Sequence, residues 1–163
     1  MTEQDHLCRV WDIIENVGVC MLTTQFAGGL RARPIEARID RDAGHIVFVT
    51  DVHSAKHDEI DTAPNVGLVF INPKDKAYLS ITGRARVIRD VAKTKMVWRK
   101  TDEVWWPGGR TDPDVCLLFI EPLTAELWDG PASAPIAAFE FAKAGLTGEE
   151  PKLGENRKVT VKM

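Results

Sequence analysis

The sequence predicts a mainly β domain, a small antiparallel barrel with peripheral α-helices. Three observations carry that expectation. About six runs of β-forming residues follow one another at short spacing between Val17 and Trp128. The links between them are brief and rich in Gly, Pro, Asn and Asp, so successive strands pair as antiparallel neighbours. Helical patterns fall between strands or at the chain ends.

The chain has 163 residues, enough for one compact domain spanning 1–163 and short for two. A domain of this size buries enough surface to fold without a disulfide or structural metal. A net charge of −3 argues against nucleic-acid binding, which needs a dense basic field. Cys8, Cys20 and Cys116 form no CxxC pair, and Cys20 and Cys116 sit in apolar runs as small hydrophobes. The opening MTEQDH lacks the basic and apolar regions of a signal peptide. The longest apolar run, Val115 to Ile120, is far below the ~20 residues of a membrane helix, so a soluble, cytoplasmic protein is expected.

In chain order, Thr2 to Asp5 has the form of a capping box. Leu7, Val10, Trp11 and Ile14 follow at helical spacing, predicting a helix over Glu3 to Asn16 that Gly18 helps to end. Val17 to Gln25 reads as a strand, Ala27-Gly28-Gly29 as a turn, and Leu30 to Ile39 as a second strand. Pro34, which cannot donate to a ladder, marks an edge or bulge there. Asp40 to Gly44 is turn chemistry before a third strand, His45 to Thr50. Ser54 is placed to cap a helix over Ala55 to Thr62, closed by Pro64. Val66 to Ile71 is continuously apolar and is expected to be buried on both faces.

Ala77 to Arg89 shows the clearest alternation. Ala77, Leu79, Ile81, Gly83, Ala85 and Val87 share one face; Tyr78, Ser80, Thr82, Arg84 and Arg86 share the other. Asp90 caps a helix over Val91 to Lys100, with Trp98 and Trp11 expected in the core. Cys116 to Ile120 and Thr124 to Trp128 give the sixth strand, with an interruption near Pro122. A helix over Ala132 to Ala144 follows, and residues 146–163 read as a polar C-terminal tail with little to offer a core.

Chemistry gathers in Leu30 to Lys56. Arg31 and Arg33 share a face by the two-residue period, and Ser54 and Lys56 sit where a helix begins. Arginine can fork onto two phosphate oxygens, and unpaired N–H groups at a helix start favour an anion. The plainer reading is a serine cap beside solvated arginines. A lysine in the first turn is the unusual part, because the helix dipole prefers acids there. His53 and His57 with Asp51 and Asp58 lack the convergent ligands of a zinc site, so no metal is expected. No G-x-S-x-G elbow supports a hydrolase. Trp105, Trp106 and Trp128 flank Gly/Pro-rich turns, where an indole can stack on a planar ligand, bury an interface or simply pack.

VCMLTTQ, RARPI, IVFVTDVHSAKHDEI, NVGLVFINP, YLSITGRARVIRD and AELWDGP, taken in order, resemble the pyridoxamine 5′-phosphate oxidase-like, FMN-binding split barrels. WWPGGRTDPDVCLLFIEP and KAGLTGEEPKLGENRKVTV are similar to the general stress protein branch. The resemblance covers nearly the whole chain and implies a six-stranded antiparallel split β-barrel that forms a homodimer, with FMN in clefts between subunits.

Residue by residue, the resemblance implies flavin contacts from Arg33, Pro34 and Ile35, assisted by Arg31, and from Val49 and Thr50. Ser54, Ala55 and Lys56 match a Ser-Arg-Lys phosphate group without its arginine. Tyr78 matches a polar flavin contact, and Trp128 the tryptophan that reaches the flavin from the partner subunit. Glu126 and Trp128 keep the family's Glu-x-Trp, yet the DGPASAPI that follows lacks the Arg-x-His-x-Arg of true oxidases. The expectation is therefore a flavin-dependent oxidoreductase acting on another small molecule. The alternatives are a non-enzymatic flavin-binding stress-response protein and a deazaflavin-dependent reductase. No catalytic acid or base is assigned.

Overall fold

A computed structural model of the chain describes residues 2–130, 134–149 and 157–163. It begins with α1 (Glu3–Val17), where Thr2 Oγ1 accepts from Asp5 N–H and Asp5 Oδ2 accepts from Thr2 N–H. That reciprocal cap satisfies two donors at the helix start and contributes about 1 kcal/mol. Gly18, at φ 71°, ends the helix in a conformation that side chains disfavour.

The strands are β1 (Val19–Phe26), β2 (Gly29–Glu36), β3 (Arg38–Asp40), β4 (His45–Asp51), β5 (Asn65–Asn72), β6 (Ala77–Ile88), β7 (Val115–Asp129) and β8 (Arg157–Lys162). Three further helices are α2 (Lys56–Thr62), α3 (Val91–Val97) and α4 (Ala134–Thr147). Short 3-10 helices cover Lys100–Val104 and Gly109–Thr111. Among the described residues the strands pair antiparallel, in the order β2-β1-β5-β6-β7-β4-β3, with β8 on β7.

The fifteen-residue β7 is the spine of the sheet. One edge pairs with β6; the other pairs first with β4 and then with β8. Between the two halves the β6–β7 register shifts beside Gly83, opposite Pro122. A proline at a bulge avoids a missing ladder donor, and the extra residue bends the strand. Gly83 permits the close approach: a Cβ there would lie 2.8 Å from Ile120 Cγ2 and 3.0 Å from the Glu121 carbonyl oxygen.

The inward faces of the strands close on one core that includes Leu22, Phe48, Leu68, Phe70, Ile81 and Ile120, and α1 covers it with Val10, Trp11, Ile13 and Ile14. A second apolar group, Val47, Leu117 and Phe119, lies on the opposite side of β4 and β7, against Val97 of α3. Covered on both sides, Val115 to Ile120 reads as an unbroken apolar run.

Several expectations need correction. Among the described residues there are eight strands, not six. The long second strand divides at Ala37, whose N–H donates to the Gly18 carbonyl at 2.7 Å, so the chain leaves β1 for β4 there. The stretch expected as a polar tail returns as β8 and places Val161 in the core, 1% exposed. The last strand runs through Pro122 on its bulge rather than breaking. β5 is buried on one face only: Val66, Leu68 and Phe70 are inside, while Ile71 is 51% exposed. The helix from Asp90 stops at Val97, and Trp98 beyond it is half-buried, tilted against Trp106. Asp90 does cap it, accepting from Lys93 N–H at 2.9 Å. The last helix runs three residues beyond Ala144, to Thr147; its expected beginning at Ala132 lies outside the described residues. The alternation of β6 is as read from the sequence.

Candidate functional site

Since β2 ends one side of the sheet and β3–β4 the other, the barrel has a seam. A cleft of about 430 Å³ lies there, lined by Pro34, Ile35 and Glu36 of β2 and by Val49, Thr50 and Asp51 of β4. Ser54 and Lys56 also line it, as do Arg38, Asp102, Trp105 and Trp106. β2 is an edge strand, so alternate residues direct backbone N–H and C=O groups away from β1 and toward the cleft.

Ser54 does not cap α2. The cap position is held by Ala55 in helical conformation, without a side-chain bond, and Ser54 Oγ instead accepts from Lys56 Nζ at 2.6 Å. Early commitment of Ala55 to the helix turns Lys56 back over Ser54. Lys56 is half-buried, and among the described residues no carboxylate forms an ion pair with it. Burial, and then the charge of Arg33, push its pKa below 10.5.

Arg31 and Arg33 do not line the cleft. They converge on Glu59, one turn beyond Lys56: Arg31 Nη1 lies 2.8 Å from Oε1 and Arg33 Nη2 2.7 Å from Oε2. Thr24, buried on β1, donates its hydroxyl to Glu59 Oε2 and accepts from Arg33 Nη2 at 2.9 Å. The Thr24 hydrogen bond first, and then Arg33 and Arg31, hold the Glu59 carboxyl below 4.5. The physical reason is desolvation: a buried carboxylate needs partners, and two strand arginines are the nearest cations.

Behind Lys56, Cys116 is 1% exposed, and its Sγ lies 3.6 Å from both the Thr50 carbonyl oxygen and His57 Nε2. Burial pushes this thiol up to about 11, so it is no thiolate nucleophile at neutral pH. The far wall of the cleft stands on a buried pair, Arg38 Nη2 to Asp102 Oδ1 at 2.9 Å. Asp102 also accepts from Arg99 N–H, and Glu36 bonds both Arg38 and Arg99. Asp51 accepts from His53 N–H at 2.8 Å and from Trp106 Nε1 at 3.4 Å. Trp105 stands 77% exposed beside them, outside any core.

Tyr78 and Trp128 lie elsewhere. They face each other in register across β6 and β7, at the opposite end of β7 from Cys116 and Thr50. Thus Pro34, Ile35, Val49, Thr50, Ser54 and Lys56 share one cleft; Arg31 and Arg33 sit behind it, and Tyr78 and Trp128 are remote. Sequence reasoning overlooked Thr24, Arg38, Glu59 and Asp102. Glu59 had a signal, a carboxylate three residues past Lys56 on one helix. Arg38, the pairing partner of Asp102, is distant in the chain, so nothing local pointed to Asp102 as a wall of the cleft.

A model of the family described as pyridoxamine 5′-phosphate oxidase like matches residues 5–152. General stress protein 26 of Bacillus subtilis (strain 168) is 25% identical over 140 residues, 84% of this chain and 98% of that protein. A candidate general stress protein 26 from Jannaschia sp. CCS1 has a similar solved structure, with a TM-score of 0.77 at 28% identity over 99% of this chain and 100% of its own. The general stress FMN/FAD binding protein of Xanthomonas citri follows at a TM-score of 0.69 and 27% identity, over 77% of this chain and 89% of its own.

Proposed function

The chain belongs to the pyridoxamine 5′-phosphate oxidase-like family, and on that premise we propose that it is a cytoplasmic, homodimeric FMN-binding oxidoreductase. The cleft at the barrel seam seats the flavin. The observation that carries this is its asymmetry: at one end a half-buried lysine that, among the described residues, pairs with no carboxylate, and along one wall an open strand edge. Lys56 and Ser54 hold the phosphate, with Arg33 adding its charge from behind; a charge-assisted hydrogen bond contributes about 1.5–3 kcal/mol. The backbone of Pro34 to Glu36 and of Val49 and Thr50 offers donors and acceptors to a flat heteroaromatic ring. A bound flavin supplies the electron transfer; the chain binds it, orients it and keeps one face from water.

Tyr78 and Trp128 reach a flavin from a second copy, since they lie at the far end of β7 from the cleft of their own chain. Val19, Met21, Ile71 and Leu123 are exposed on outward-facing strand positions and give the copies an apolar surface to bury. The substrate is a small molecule other than pyridoxamine phosphate, because the chain after Trp128 carries no arginine or histidine before Lys143.

One observation favours a second reading, a flavin-holding stress protein without turnover. Each carboxylate lining the cleft is already committed: Glu36 to Arg38 and Arg99, Asp51 to His53 N–H and Trp106, Asp102 to Arg38 and Arg99 N–H. Mixing the FMN-loaded protein with NADH or NADPH in air separates the two. Sustained oxidation of the nucleotide supports the oxidoreductase; bound FMN without turnover supports the holding protein.

A further inference from the structure

Resting on the reading of the cleft as a phosphate-holding site, we propose that Glu59 sets how strongly that site takes an anion. It gathers Arg31 and Arg33 behind Lys56 and cancels one of their charges. A single arginine would suffice to tie α2 to the neighbouring strands. Here two converge on one carboxylate, while Thr24 Oγ1 already donates to it. Arg31 is also held independently, its guanidinium 4.5 Å from the Phe26 ring centroid, and its side chain is 48% exposed. Among the described residues the hydrogen bonds of Arg33 leave from Nη2, so its other N–H groups can meet a further acceptor.

Arg31, Arg33 and Lys56 face Glu59 and Asp51, and Asp51 is turned to His53 N–H and the Trp106 indole. His57, beside Lys56, is held toward its neutral form by burial and by that lysine's charge. Asp61 and Asp51 act against that shift in His57, and removal of the Glu59 charge makes the surroundings of Lys56 and the two arginines more positive, which favours an anion. Glu59 acts on the ligand through the two arginines. It is a positioning residue, not a catalytic one.

The test uses inorganic phosphate, FMN and riboflavin with the full chain. Glu59→Gln keeps the shape and removes the charge. It should tighten phosphate and FMN about three- to tenfold at low salt and steepen the salt dependence, while riboflavin is unchanged. Arg31→Gln, at an exposed position that folding tolerates, should weaken phosphate and FMN by a similar factor. If Glu59→Gln fails to fold, Arg31→Gln decides alone. Phosphate affinity that ignores both substitutions overturns the proposal. So does a constant FMN-to-riboflavin ratio in protein that binds both, which leaves the flavin reading standing. Phosphate binding that responds as expected, in protein that takes up no flavin, sustains the role of Glu59 and sinks the flavin reading.

Discussion

At the scale of single residues, desolvation decides which charges pair and which wait for a ligand. Lys56 carries its charge against burial beside the Ser54 hydroxyl, whereas Arg33 is already ion-paired with Glu59 through Nη2. Lys56→Ala should therefore weaken FMN by roughly tenfold to a hundredfold, the equivalent of one charge-assisted hydrogen bond, and leave riboflavin unaffected. Isothermal titration of both ligands checks this. Arg38 and Asp102 are both nearly buried, and loss of one partner strands the other. Asp102→Ala should cost about 3–5 kcal/mol in urea unfolding; a loss below 1 kcal/mol would show that water or Glu36 replaces it.

Acid titration probes Glu59. Its carboxyl is held below 4.5 in the folded chain, so below that value the unfolded chain binds the proton first. The stability this group contributes is complete above 4.5 and is lost as pH falls through the lower folded value. Glu59→Gln should flatten the acid limb of a stability–pH curve measured by thermal unfolding. An unaltered limb would mean that the carboxylate gains nothing from Thr24 and the arginines.

At the scale of elements, much was legible because the signals are local. The capping box at Thr2, the turn before His45, the alternation of β6 and the cap at Asp90 depend on residues a few positions apart. What escaped depends on distant partners. The tail looked polar because Arg157, Lys158, Thr160 and Lys162 surround Val159 and Val161, yet a strand needs only its inward positions to be apolar. Val161→Ala should cost about 2 kcal/mol, as expected for a buried branched side chain. No measurable change would contradict the place of β8 in the sheet. Ser54 does line the cleft but was misassigned as a cap, since nothing local shows that Ala55 enters the helix first. The cleft itself was half legible. Its strand residues Pro34, Ile35, Val49 and Thr50 were expected from the family resemblance alone, while the two-residue period pointed to Arg31 and Arg33, which lie behind it; its far wall is built by Arg38 and Asp102, whose pairing spans much of the chain.

At the scale of the whole molecule, an eight-stranded sheet that stops short of closing leaves one seam, and the cleft lies in it. The same sheet leaves Ile71 and Tyr78 exposed on β5 and β6, where a lone domain gains nothing from apolar surface. Light scattering on a sizing column should give about twice the 18.2 kDa chain mass. Ile71→Glu should shift the protein toward monomer and lower FMN uptake with it. A monomeric wild type that binds FMN fully would separate the cleft from any second copy. The most direct measurement is the absorbance spectrum of the chain after incubation with FMN and removal of the excess. The paired near-ultraviolet and blue bands of bound oxidised flavin, at about one FMN per chain, are the expected result; a colourless protein that retains none contradicts the assignment of the cleft.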